Sequence, residues 1–231
     1  MRNFFLALLA MTALAGCAAD PVWAPEEAIR AVQYRHPGPP RLTLFTMVSN
    51  DTGAGGHSSL MINGSQRVIW DPSGTFHHEA IPERNDLLYG ITPNVADVYT
   101  RYHARETWHV IVQELDVSPE VAELALKLAQ ENGAVMNAYC AHSTSGILRR
   151  LPGMSHLNQT MYPLKLSAQF AELGGVRART LHEYDSDDRT GVLDDWDPVR
   201  AGYGAERSAQ TDATDERQQV REAGRQQGRT N

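Results

Sequence analysis

Gly56-His57-Ser58-Ser59-Leu60-Met61-Ile62-Asn63-Gly64-Ser65-Gln66-Arg67-Val68-Ile69-Trp70-Asp71 is the stretch whose reading decides the fold. Asn63-Gly64 between two runs rich in β-formers is a strong hairpin signal. With a three-residue loop Asn63-Gly64-Ser65, Ile62 opposes Gln66, Leu60 meets Val68, Ser58 meets Trp70, and His57 faces Asp71 on the same side of the sheet. A two-residue loop would instead set Leu60 against Arg67 and His57 against Trp70, a worse apolar match. A one-residue slip exchanges all partners, so the apolar pairing favours the first register.

Working outward, the glycine-rich residues 50–56 read as a turn, and Arg41–Ser49 before them alternates as a strand. Residues 108–114 read as another strand. Ser118-Pro119 is a helix start, with Ser as N-cap and Pro at the first helical position. Val121, Leu124, Ala125 and Leu128 give that helix an apolar face, and Gly133 ends it. A second helix opens near Cys140, with Ile147, Leu148 and Leu151 on its inner side, and stops before Pro152-Gly153. A third spans 164–173. Residues 75–107 read as irregular, with a helical hint at 95–102. The class is α+β: a small antiparallel sheet packed against the helix that carries the cysteine. The domain is expected at 41–184. Residues 18–40, rich in proline, read as an extended tether, and 185–231, polar and poor in apolar residues, as a disordered tail.

The chain has 231 residues, a net charge of −7 and two cysteines. An acidic chain without a long basic stretch argues against a nucleic-acid partner. No stretch reaches the ~18 consecutive apolar residues of a spanning helix. Residues 1–17 form an export signal, with Arg2 as the charged start and 4–14 as the apolar region. Its end, Leu14-Ala15-Gly16-Cys17, resembles the bacterial lipobox. That resemblance implies lipidation of Cys17, a lipid anchor in the membrane, and, since Ala18 rather than Asp follows, a periplasm-facing place at the outer membrane of a Gram-negative bacterium.

Cys140 is then the one thiol left free in an oxidising compartment. It lies where a helix begins, and unsatisfied N–H groups there favour thiolate. His57, at the mouth of a strand, can take the thiol proton. Asp71 can hold one imidazole nitrogen and aim the other at sulfur, the base–orienter relationship of a catalytic triad. Asp71-Pro72-Ser73-Gly74 also fits a type I turn, which favours aspartate at its first position; the two roles are compatible.

Gly56-His57-Ser58, the strand end at Trp70-Asp71, and Tyr139-Cys140 before an apolar helix resemble the circularly permuted papain-like hydrolases. That branch includes permuted relatives of NlpC-type peptidases and the lecithin:retinol acyltransferase-like enzymes. The order matches: His57 precedes Cys140 by 83 positions, whereas ordinary papain-like chains place the cysteine first. Tyr139 stands where the acyltransferases typically have Asn, and Asp71 where they often have His. The resemblance implies a thiol hydrolase or acyl-transferring enzyme without a cofactor. Cys140 attacks an amide, ester or thioester carbonyl, His57 is base and then acid, and Asp71 orients it. The Cys140 N–H would be the oxyanion donor, and Tyr139 a binding residue at the border. Peptidoglycan stem peptides and lipid-linked acyl groups are the carbonyls expected in that compartment.

Other histidines read differently. His77-His78-Glu79 lacks a third spaced ligand, so no metal site is expected. His142 reads as a helix-surface residue, and His103 and His109 as structural or solvated. Two rival readings use the same residues: a non-catalytic envelope lipoprotein that binds through the groove, and a thiol redox or sensing protein.

Overall fold

Arg41–Ser49 forms β1, and its residues 42–48 are all buried, the mark of a strand covered on both faces. This computed structural model describes residues 19, 21–189 and 192. β1 pairs antiparallel with β2 (Gly55–Asn63) on one side and β6 (Trp108–Asp116) on the other. β3 (Arg67–Trp70), β5 (Leu87–Leu88) and β4 (Glu83–Arg84) extend the sheet beyond β2, and β7 (Arg177–His182) closes it beyond β6. The result is one seven-stranded antiparallel sheet of order β4-β5-β3-β2-β1-β6-β7. With its helices it makes an α+β fold.

Strand pairing assigns the faces. Leu44 pairs with Leu60 and Gln113, so these share one side, while Phe45 pairs with Ser59 and Val112 on the other. On the Leu44 side lie α4 (Cys140–Leu148) and α5 (Pro163–Ala171), the latter joined to the sheet by Gln113 Nε2 donating to Ser167 O at 3.0 Å. α3 (Pro119–Asn132) packs against β2 and α4. On the Phe45 side lies α2 (Pro93–His103), whose Tyr99 ring meets Phe45 edge-on at 5.4 Å. Five helices are described, the first being α1 (Glu26–Val32).

The structure corrects several expectations. The hairpin loop is Gly64-Ser65-Gln66, not Asn63-Gly64-Ser65: Leu60 opposes Trp70, Ile62 opposes Val68 and Asn63 opposes Arg67. All four of the apolar residues in those pairs are fully buried, whereas the expected register would have set Ile62 against Gln66. Asn63 stays in the strand because its side-chain amide donates to Pro39 O at 2.7 Å. The slip is by two residues, so side-chain facing is unchanged. His57 and Asp71 still share a side, on a diagonal rather than directly opposite.

The expected tether is partly folded. α1 buries Ile29 and Val32, each burial worth roughly 1.5–3 kcal/mol, and Tyr34 N-terminal to β1 is buried too. Ala24 N donates to Glu83 O at 2.9 Å, so this segment leans on the β4 edge. The helical hint at 95–102 is α2 itself, with Thr92 as N-cap accepting from Val95 N. α3 starts and stops where its capping residues indicate, Gly133 adopting φ 77. Its buried residues, however, are Ala122, Ala125, Leu126, Leu128 and Ala129, with Val121 and Leu124 only half-buried at the rim. β7 was not anticipated; its exposed residues give no apolar alternation.

Residues 185–189, expected to belong to a disordered tail, are held in place. Arg105, a buried residue, donates from Nε to Ser186 O at 2.8 Å and from Nη2 to Asp188 O at 3.4 Å. These bonds hold residues 185–189 against the end of α2. The rest of the expected tail and Cys17 lie outside the described residues. No described helix is long and apolar enough to cross a membrane.

Candidate active site

β2 delivers His57 at its open end, where the ladder with β1 is irregular: Met47 pairs with His57 but Val48 with Gly55. Such a bulge re-aims a side chain. Gly56 fits here because a Cβ would stand 2.5 Å from the Trp108 ring, which lies directly over it. Asp71 follows the end of β3 and is 3 % exposed. Its Oδ1 lies 2.7 Å from His57 Nε2. With Nε2 taken, Nδ1 is the nitrogen left to meet a thiol.

That thiol is Cys140, the first residue of α4, 6 % exposed and the free cysteine of the described residues. Its thiol is influenced by His57 and by the N–H groups of Ser58 and Ala141, all of which favour the thiolate. Ser58 can supply its N–H because β3 pairs only as far as Trp70, leaving this part of β2 open. The structure therefore brings together Cys140, His57 and Asp71 as the sequence suggested.

Electrostatics favour an ion pair. Burial alone would push the Cys140 thiol up; the hydrogen bond and positive charge of His57, with the two N–H groups, outweigh it and hold the thiol below its ordinary value. Burial alone would likewise push His57 down, but the charge and hydrogen bond of Asp71, with Cys140 adding, raise it to about 10. Asp71 opposes its own burial through His57 and the Tyr99 hydroxyl and stays below the usual carboxylate range. These opposed shifts favour the charge distribution of thiolate, imidazolium and carboxylate. It is the charge distribution of an activated cysteine nucleophile.

Two side chains that sequence reading passed over, Tyr99 and Ser59, complete the site together with His103. Tyr99 donates its hydroxyl to Asp71 Oδ1 at 2.6 Å, and Ser59 Oγ lies 2.7 Å from the same hydroxyl. His103 is buried, donates from Nδ1 to Tyr99 O at 2.8 Å, and stacks on His57 at 6.0 Å between ring centres. Burial, opposed by Asp71, lowers His103 to about 4, so it stays neutral. The spacing of Val95, Tyr99 and Tyr102 was the available signal: three large residues on one helical stripe, all buried. Of the two readings of His103, structural or solvated, its burial fits the first, and it lies in contact with the site.

No protein-family model, curated protein or solved structure matches this chain. The chemistry of the site thus stands on its geometry.

Other expected residues fall elsewhere. Asp71 does begin a turn, with Gly74 N donating to Asp71 O at 2.9 Å, but Ser73 has φ 58, the positive value of a type II rather than a type I turn. Tyr139 precedes the nucleophile and is 38 % exposed. It meets His142 edge-on at 5.6 Å and lines a shallow groove with His142, Arg149 and Gln159, away from the His57 side. His77 pairs with Glu83 at 2.9 Å, and no described cluster has the composition of a metal site. His109 hydrogen-bonds Asn50 Oδ1 at 2.6 Å.

Proposed function

We propose that this chain is a cysteine-dependent hydrolase or acyl-transfer enzyme acting on an amide, ester or thioester. The observation that carries the reading is His57 held between a buried carboxylate, 2.7 Å away, and the free thiol of Cys140. The order of strand-borne histidine, hairpin and later cysteine helix supports a circularly permuted papain-like fold.

In this reading the Cys140 thiolate attacks the carbonyl carbon and forms a tetrahedral adduct. The N–H groups at the start of α4 face the negative charge that develops on oxygen. His57, an imidazolium, gives its proton to the departing amine or alcohol as the bond to carbon breaks, leaving a thioester. Neutral His57 then takes a proton from water, whose oxygen attacks the thioester, and the carboxylic acid leaves as Cys140 thiolate is restored. Asp71 keeps the imidazole in one orientation throughout. With Cys17 lipidated, the enzyme works at the surface of the outer membrane on peptidoglycan peptides or lipid-linked acyl groups.

The test is the pH dependence of Cys140 alkylation by iodoacetamide in the full chain, beside His57→Ala and Asp71→Asn. Alkylation persisting well below the ~8.5 of a free thiol, and losing that advantage in His57→Ala, is expected. An ordinary thiol profile indifferent to His57→Ala would overturn the reading. Incorporation of labelled palmitate that Cys17→Ser abolishes is the expected sign of the anchor.

A further inference from the structure

A cavity of about 230 Å³ opens beside His57, lined among others by Gly56, Thr75, His103, Trp108 and Arg189. Cys140 does not line it. This volume lies below the roughly 300–1,000 Å³ of a site that takes a whole ligand, so it has room for one portion of a substrate. Which portion follows from which catalytic group it adjoins. The acyl part of a substrate stays bonded to the nucleophile, whereas the histidine hands its proton to the departing atom. A cavity on the histidine side, bordered by Trp108 and Gly56, is the place of the leaving group.

Arg189 gives that place a chemical preference. It is half-buried, its guanidinium lies over the Tyr102 ring at 5.2 Å, and its Nε is buried with no hydrogen-bond partner. Among the described residues no carboxylate pairs with it. Apart from His57, whose charge Asp71 and Cys140 already balance, it is the only cationic side chain among the described residues lining the cavity, since buried His103 is neutral. A guanidinium with no carboxylate partner among the described residues, held over an aromatic ring, suits a carboxylate through its planar donor fork. Backbone carbonyls 186 and 188, held by Arg105, fix the chain just before it.

We propose that Arg189 binds a carboxylate on the leaving group, so that the substrates are acyl compounds whose released amine or alcohol carries an acid, such as an amino acid linked through its amine. The inference rests on the Cys140–His57 reading and narrows it. In the balanced reaction the C–N bond breaks, His57 protonates the nitrogen, and a free amino acid departs with its carboxylate still on Arg189.

Two measurements test it on the full chain. First, N-acyl alanines are compared with the matching N-acyl alaninamides by the rate of amine release. The free acids are expected to be preferred roughly 10- to 100-fold in kcat/KM, the worth of a charged hydrogen bond. Arg189→Gln should bring the ratio close to one, chiefly through KM, and Arg189→Lys should restore part of it. Second, alanine, but not alaninamide, should slow alkylation of Cys140 by iodoacetamide, and Arg189→Gln should remove that protection. This second readout needs no turnover. Equal protection by alanine and alaninamide, no protection by either, or an acid preference that survives Arg189→Gln would overturn the carboxylate site. Loss of the low-pH alkylation itself would instead remove the catalytic reading, so the two failures are distinguishable.

Discussion

Asp71 Oδ2 occupies the space that a side chain on Gly74 would need: a Cβ built there stands 1.9 Å from it. The turn that follows β3 is thus closed around the carboxylate that orients His57. Gly74→Ala should push Asp71 off His57 Nε2. The expected result is a loss of ~1–3 kcal/mol in urea unfolding, the usual cost of overpacking, together with a shift of Cys140 alkylation toward the pH profile of an ordinary thiol. Full retention of both would show that the turn yields without moving the carboxylate.

Tyr99→Phe removes one donor to Asp71 and leaves Ser59 to find another partner. A buried hydrogen bond to a charged group contributes roughly 1.5–3 kcal/mol, and that loss is expected in stability. With one donor fewer, Asp71 rises toward its ordinary value. Alkylation of Cys140 should then fade at a higher pH than in the wild type, because the acid limb of the triad moves up. Unfolding curves and alkylation rates on the same preparation check both.

Acid should weaken the fold through His103. It titrates at 6.5 when unfolded and at about 4 in the folded chain, so between these values the unfolded chain binds the extra proton. Stability therefore falls as pH drops from 6.5 toward 4, with a slope approaching roughly 1.4 kcal/mol per unit. His57 has the opposite sense: raised to about 10, its contribution is complete below 6.5 and is lost as pH climbs through 10. Unfolding free energies measured across pH should show both limbs. His103→Gln should flatten the acid one and His57→Gln the alkaline one.

Arg105→Ala should detach residues 185–189 from the end of α2. The buried guanidinium holds two backbone carbonyls and lies 3.5 Å from Asp185, so its removal should expose the segment to trypsin at Arg189. Acceleration of that cleavage by tenfold or more is expected, with the acid preference lost alongside. An unchanged cleavage rate would place the anchorage of the segment elsewhere.

Much of the scaffold was legible because it depends on local chemistry. Alternation alone set β1 at Arg41–Ser49, and Ser118, Pro119 and Gly133 bounded α3. The pairing of His57 with Asp71 was readable because they share a side in either even register, so a loop misplaced by one residue, which shifts partners by two, left them together. What escaped depends on partners distant in the chain. Tyr99 reaches Asp71 only after α2 packs on the Phe45 face of the sheet. Arg189 sits in a polar stretch whose composition points to disorder, and bonds from Arg105, Glu106 and Thr107 fix it. α1 went unread because a seven-residue helix is marginal alone and forms here by burying Ile29 and Val32.

His57 and Asp71 are 14 residues apart and joined by one hairpin, whereas Cys140 lies 83 positions after His57. A hairpin closes a short loop and can form early; seating α4 on the sheet closes a much longer one and comes late. The imidazole and carboxylate can thus be in place while the sulfur is still an ordinary, unreactive thiol. Thiol activation switches on only when α4 has docked, so labelling at low pH reports completed folding. Any variant that slows that docking will label as an ordinary thiol with all three groups intact.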